Sequence, residues 1–144
     1  MITTSEILTS KGIVPTAQRV AVYEAVAGRR DHPTVDKVFA GLRRKRPTLS
    51  KTTVYTAMQL LAARGLIGAV HAEPGEIRYD GICEFHAHFK CRTCGKLYDI
   101  ALGRAHRRPF AEMPAGFAAD GEELTYYGRC PNCSTRKNRK EKRK

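Results

Sequence analysis

Two Cys-x-x-Cys pairs, Cys91/Cys94 and Cys130/Cys133, constrain this chain more than any other feature. Thiolates spaced by two residues can bite one tetrahedral metal ion, and two such pairs complete a four-sulfur site of the structural Zn2+ type. Each pair has a turn residue with it, Gly95 or Pro131. The stretch between the pairs is longer than in a minimal zinc ribbon, so the metal would staple a small domain rather than constitute it. Two disulfides or a redox dithiol are the competing readings, and a reducing compartment with two matched pairs favours zinc over both. The fifth cysteine, Cys83, lies outside the pattern and reads as a spectator or as a thiol open to oxidation.

A length of 144 residues with 42% hydrophobic content suits one ordinary domain or two small ones and argues against a disordered chain. No apolar run approaches the ~18 residues of a membrane span, and Met1 to Glu6 lacks a basic-then-apolar leader, so a soluble cytoplasmic protein with no membrane partner is expected. The net charge of +12 points to a polyanion, with nucleic acid the first candidate. Residues 1–80 carry 12 basic and 7 acidic side chains, and residues 134–144 carry 7 and 1. The second set reads as a disordered basic tail that touches phosphates or merely keeps the protein soluble.

The first half reads as short helices with clear punctuation. Thr16 caps one that ends at Gly28, and Thr34 caps another in which Val35, Val38, Phe39 and Leu42 form a buried stripe before Pro47. Ser50 caps a third that runs to about Arg64 and Gly65. Its apolar stripe is Val54, Ala57, Met58 and Leu61, whereas Thr52, Tyr55, Thr56 and Gln59 make a polar, nearly uncharged face that begins beside Lys51. Such a face can hydrogen-bond base edges and touch thymine methyl groups. A hairpin follows over residues 66–80 with its turn at Glu73 to Glu76, so the unit reads as a winged helix-turn-helix whose third helix enters the major groove of double-stranded DNA. A plain helical bundle with a soluble face is the alternative.

The second half reads as strands near 88–91 and 96–100, a helix from about Gly103 to Glu112, and a hairpin from Gly116 to Cys130 turning near Asp120-Gly121. The fold class expected is therefore α+β. A winged-helix domain over 1–80 is joined by a hinge at 81–85 to a small α/β domain over 86–133, with the tail at 134–144. Asp80, His86, His88 and Asp99 form a second constellation, with His32 far away in sequence. His86 and His88, two apart, face one side of an extended segment, and imidazoles with carboxylates but no thiolate suit Fe2+ or Mn2+. Each of these residues alone would equally pass for a surface polar group.

The ordered motifs Thr16-Ala17-Gln18-Arg19, His32-Pro33-Thr34, Thr52-Thr53-Val54-Tyr55, Arg64-Gly65-Leu66-Ile67, Arg78-Tyr79-Asp80, His86-Ala87-His88, Cys91-Arg92-Thr93-Cys94-Gly95-Lys96 and Cys130-Pro131-Asn132-Cys133 span roughly residues 10–133. In order and spacing this resembles the ferric uptake regulator family. The resemblance implies a dimeric, metal-dependent repressor with a winged-helix domain and an α/β dimerisation domain, acting on palindromic operator DNA rather than as an enzyme. It implies structural Zn2+ on Cys91, Cys94, Cys130 and Cys133, and a regulatory Fe2+ or Mn2+ on His32, Asp80, His86, His88 and Asp99. It also implies DNA contacts from Arg19, Lys51, Thr52, Tyr55, Thr56 and Gln59. Aspartate rather than glutamate at position 99 resembles the peroxide-responsive branch, in which His32 or His86 would be the oxidation-sensitive ligand. A reversible iron- or manganese-uptake regulator is the alternative within the family.

The chain departs from the family pattern in places. Ala17 stands where a proline is usual, and a further metal site seen in some members is poorly kept, with Ala87 in place of an acid and His106 and Glu122 where other ligands are expected. Outside the family, a His/Asp metalloenzyme would need an activated nucleophile or separate general base that does not stand out, and a zinc-bearing RNA-binding module would prefer single strands.

Overall fold

A computed structural model describes residues 1–103 and 112–135. The chain divides into two compact units, Met1–Glu84 and Phe85–Lys144. The first contains α1 (Thr4–Ser10), α2 (Ala17–Val26), α3 (Val35–Arg43) and α4 (Lys51–Ala63), then the antiparallel pair β1 (Gly68–Glu73) and β2 (Glu76–Asp80). Thr16, Thr34 and Ser50 cap α2, α3 and α4, each hydroxyl accepting the backbone N–H three residues on. Gly65, at φ +67°, takes the left-handed conformation that ends α4. All three helix starts and the wing turn at Pro74-Gly75 lie where the sequence reading puts them.

The sequence reading begins its helices at Thr16 and misses α1. A capping box secures that helix: the Thr3 hydroxyl accepts from Glu6 N–H, and the Glu6 carboxylate accepts from Thr3 N–H. Leu8 of α1 is fully buried and joins Val22, Val26, Val38, Val54, Met58, Leu61, Ile67 and Tyr79 in one core. The α4 stripe fills the centre of that core, which leaves the opposite α4 face outward. Arg64 ties the end of α4 to the turn after α1, donating to the carbonyls of Lys11 and Gly12 at 2.8 and 3.3 Å.

The second unit holds a sheet of order β4-β3-β5, made of β3 (Ala87–Cys91), β4 (Leu97–Ile100) and β5 (Thr125–Gly128). β3 and β4 are antiparallel, as the turn through Gly95 requires, whereas β5 runs parallel to β3. This corrects the expected hairpin over 116–130. Residues 113–123 are exposed and carry no strand, so nothing there has the alternating burial of a half-buried strand, and only Thr125–Gly128 pairs. A short helical turn at 131–135 follows. The helix expected at about 103–112 falls almost wholly outside the described residues, as does most of the basic tail. No helix among the described residues is long and apolar enough to cross a membrane.

Gly81 is where the wing meets the helices. A Cβ there would collide with the Val26 carbonyl oxygen and with the amides of Gly28 and Arg29 at 2.6 and 2.7 Å, all backbone atoms that cannot yield separately. Gly28 N–H donates to the Gly81 carbonyl at this junction. Gly81→Ala is therefore expected to cost the first unit about 1–3 kcal/mol. Gly41→Ala, in α3 where an added methyl meets nothing, should stabilise it by about 0.5–1 kcal/mol. Urea unfolding of the whole chain, followed by its helical far-ultraviolet signal, measures both; equal effects of the two would refute the close approach.

Candidate metal centres and DNA-facing surface

The four paired cysteines converge in the second unit. One Sγ from each lies within 4.8 Å of the others, and Cys94 Sγ to Cys130 Sγ measures 3.8 Å. A tetrahedron of ~2.3 Å metal–sulfur bonds has edges of about 3.8 Å. A disulfide would need about 2.05 Å, and all five cysteines are free thiols. The knuckle is built by backbone: Gly95 N–H donates to Cys91 O, Cys133 N–H donates to Cys130 O, and Cys130 N–H donates to Cys91 Sγ at 3.3 Å.

Those contacts set the thiol acidities. The Cys130 amide, followed by that of Cys94, pulls the Cys91 thiol down to about 6, and a hydrogen bond from the Tyr98 hydroxyl lowers Cys130. Cys133 is pushed up to about 12, first by burial and then by its sulfur neighbours. Four thiolates in one buried cluster demand a cation at their centre, and Zn2+ fits the count, the sulfur set and the spacing. Tyr98 was outside the sequence-derived site, although its position between the pairs, one residue before Asp99, was visible. It packs with Phe89 against the cluster.

The other candidate ligands fall into two sets, one in each unit. In the first unit His32 and Asp80 are both buried, with His32 Nε2 3.8 Å from Asp80 Oδ2. Asp80 Oδ1 accepts the Ile82 N–H at 2.8 Å, which turns the other oxygen toward His32. His32 sits at φ +46°, a conformation that costs a non-glycine residue about 1–3 kcal/mol and persists only when its surroundings impose it. The imposing contacts are visible on both sides. Tyr79 N–H donates to Pro33 O at 2.9 Å, while Asp31 takes both arms of Arg29 at 2.6 and 2.7 Å and the Lys37 ammonium at 2.8 Å. Those cations, Arg29 foremost, hold the Asp31 carboxyl well below the usual carboxylate range.

In the second unit His88 on β3 stands opposite Asp99 on β4 in the register. Asp99 Oδ1 lies 3.3 Å from His86 Nε2 and 3.9 Å from His88 Nε2, and the two imidazole rings meet edge to face at 4.6 Å between centroids. Two imidazoles around one carboxylate oxygen make a hard nitrogen and oxygen donor set suited to Fe2+ or Mn2+. Cys83 is exposed, and burial of its sulfur and the nearby Asp80 charge raise its pKa, so the thiolate is disfavoured. Of the residues noted for a further site, Ala87 is buried, Glu122 is exposed, and His106 lies outside the described residues.

Lys51, Thr52, Tyr55, Thr56 and Gln59 are all exposed on α4, and Gln59 Nε2 donates to Tyr55 Oη at 2.7 Å. Arg19 is half-buried and donates to Val14 O at 3.0 Å. It lines, with Thr16, Ser50, Thr52 and Thr56, a cleft between the starts of α2 and α4.

The sequence profile of the ferric uptake regulator family matches residues 10–127. The peroxide operon regulator of Bacillus subtilis (strain 168) is 31% identical over 134 residues, which cover 92% of each chain. The transcriptional regulator FurA of Mycobacterium tuberculosis (strain ATCC 25618 / H37Rv) is 34% identical over 122 residues, 83% of this chain and 82% of that one. Among solved structures, the Helicobacter pylori ferric uptake regulator, a protein with three functional metal-binding sites, superposes with a TM-score of 0.69 at 19% identity, covering 89% of this chain and 87% of that one.

The chain is expected to carry one equivalent of zinc that resists chelation, and Cys130→Ser to lose it while Cys83→Ser keeps it. Elemental analysis after dialysis against EDTA decides the matter, and a Cys130→Ser protein that retained its zinc would remove the four-sulfur assignment.

Proposed function

The chain belongs to the ferric uptake regulator family of metal-dependent transcriptional regulators, and on that premise we propose that it is a repressor that senses peroxide through iron-catalysed oxidation of one of its own histidines. The carrying observation is the donor set. His32 and Asp80 in the first unit, and His86, His88 and Asp99 in the second, offer nitrogen and oxygen donors and no thiolate, a set that suits Fe2+ or Mn2+. The likeness to the Bacillus subtilis peroxide operon regulator supports the same reading.

When bound, iron would supply the reduction of peroxide beside the imidazoles; manganese would hold the same ligands without that chemistry. Peroxide gives one oxygen atom to the ring of His32 or His86 and leaves as water, and the oxidised ring is a poor ligand. Loss of either histidine would then remove a metal ligand and with it the metal-dependent hold on DNA. By linkage, a metal that strengthens DNA binding is itself bound more tightly on DNA.

The DNA reading rests on the exposed α4 face and the wing, and its target is palindromic operator DNA met by a symmetric homodimer in the cytoplasm. β5 supports the homodimer. Leu124 and Gly128 direct their carbonyls to His88 and Arg92 of the β3 segment, so by the two-residue period Thr125 and Tyr127 direct their amides to the other edge, where no strand pairs among the described residues. Tyr126 and Tyr127 are both half-exposed there. The second reading, a reversible iron- or manganese-uptake regulator, uses the same ligands.

Zinc-containing protein loaded anaerobically with Fe2+ and exposed briefly to low peroxide is expected to gain one oxygen on the peptide holding His32 or His86, with a Mn2+-loaded control unchanged. Peptide mass spectrometry reads this directly. Unmodified histidines would favour the reversible regulator, and oxidation confined to cysteines would point to a thiol switch. Tyr127→Pro removes one outward amide without touching the β3 ladder and should convert a dimer to a monomer in sedimentation velocity; an unchanged dimer would place the interface elsewhere.

A further inference from the structure

The start of α4 carries a residue that its own helix disfavours. Lys51 is the first helical residue after the Ser50 cap, where the positive end of the helix dipole repels a cation. Its ammonium is held by Asp36 Oδ1 at 2.5 Å, from the first turn of α3, where the dipole favours an acid. The pair lines a cleft of about 670 Å³ between the starts of α3 and α4 and the wing turn, together with Thr52, Tyr55 and Glu76. The wing repeats the arrangement, because Arg78 Nε donates to Glu76 Oε1 at 2.7 Å. The exposed face that presents Thr52, Tyr55, Thr56 and Gln59 thus begins at a cation already engaged by a carboxylate of the same chain.

Lys51 and Asp36 are 56% and 72% exposed, so their pair is weak and open to exchange. A DNA phosphate brought close by a fully seated α4 can displace the carboxylate, whereas a phosphate met in a loose encounter cannot approach as closely as Asp36 already does. Sequence-independent binding is almost wholly a matter of phosphates and cations, so a withheld lysine weakens it most. We infer that Asp36 is a specificity-determining residue: it withholds Lys51 from DNA phosphates in non-specific complexes and releases it only when α4 is seated. This rests on the reading that α4 faces DNA.

The test measures binding of the full zinc-containing chain with Mn2+, as wild type, Asp36→Asn, Asp36→Glu, Lys51→Gln and the Asp36→Asn/Lys51→Gln double variant. Each is titrated over a range of salt with a short labelled duplex of arbitrary sequence and with a duplex selected from a random pool by the wild type. Asp36→Asn should bind the arbitrary duplex roughly threefold to tenfold more tightly and steepen its dependence of log K on log salt by about 0.9, the signature of one added phosphate contact. Affinity for the selected duplex should change by less, so the specificity ratio falls. Asp36→Glu should behave as wild type, and Asp36→Asn should cause no steepening in the Lys51→Gln background.

Wild-type binding with an unchanged salt slope in Asp36→Asn would overturn the inference and leave the DNA reading intact. Equal tightening with and without Lys51 would overturn it too, since Asp36 would then act only as a repelling charge. A wild type that binds neither duplex would overturn both the inference and the DNA reading. Melting curves of each variant confirm that α3 still folds.

Discussion

A single backbone hydrogen bond, from Tyr79 N–H to the Pro33 carbonyl, sets the geometry of the His32 and Asp80 pair in the first unit. It joins a loop between two helices to the last strand of the wing, and so brings His32 beside Asp80. Neither residue could be placed by its own element. His32 follows α2 in a left-handed conformation that its side chain disfavours, and Asp80 ends β2 with one oxygen committed to the Ile82 amide. The cost of that backbone is met by contacts on each side of it, the Asp31 cluster before and the Tyr79 bond after. A side chain held in this way would be oriented before any metal arrived, which would spare the entropy of ordering it.

The second unit is organised by the opposite problem, too many acidic sulfurs in too little space. Amides and the Tyr98 hydroxyl favour the thiolates of Cys91 and Cys130, while burial and its sulfur neighbours oppose ionisation of Cys133. A central divalent cation resolves the conflict for all four. The cluster also closes the sheet: Cys91 ends β3, and Cys130 follows β5, so the metal would join the two strands that pair in parallel. A small three-stranded sheet buries little apolar surface, and a staple of this kind supplies what its core does not.

The cation at the start of α4 is engaged rather than displayed. Lys51 at the start of α4 and Arg78 on the wing are both engaged by carboxylates. The protein therefore presents a polar, hydrogen-bonding helix face rather than a bare cationic one. Its formal charge of +12 overstates the cation density of that face.

Much of this was legible in the sequence, and the reason is range. Caps at Thr16, Thr34 and Ser50, the turn at Pro74-Gly75 and the Gly65 stop all act over a few residues, so local pattern reveals them. The same logic applies to α1, whose Thr3-x-x-Glu6 box stands in the sequence. Donor chemistry was equally plain, since cysteine pairs and a His/Asp set are read from residue type alone. The tail end of the sheet was not legible: an Asp-Gly pair suggests a hairpin, but β5 finds its partner in β3, far back along the chain, and parallel pairing leaves no turn signal. Nor could the sequence reveal Tyr98 on the Cys130 sulfur, the strained His32 or the Asp36–Lys51 pair. The sequence by itself determined the caps, the stripes and the kinds of ligand, because those depend on neighbours along the chain. Only the tertiary structure decided which of these groups meet, because each meeting depends on a distance through space that the folded core imposes.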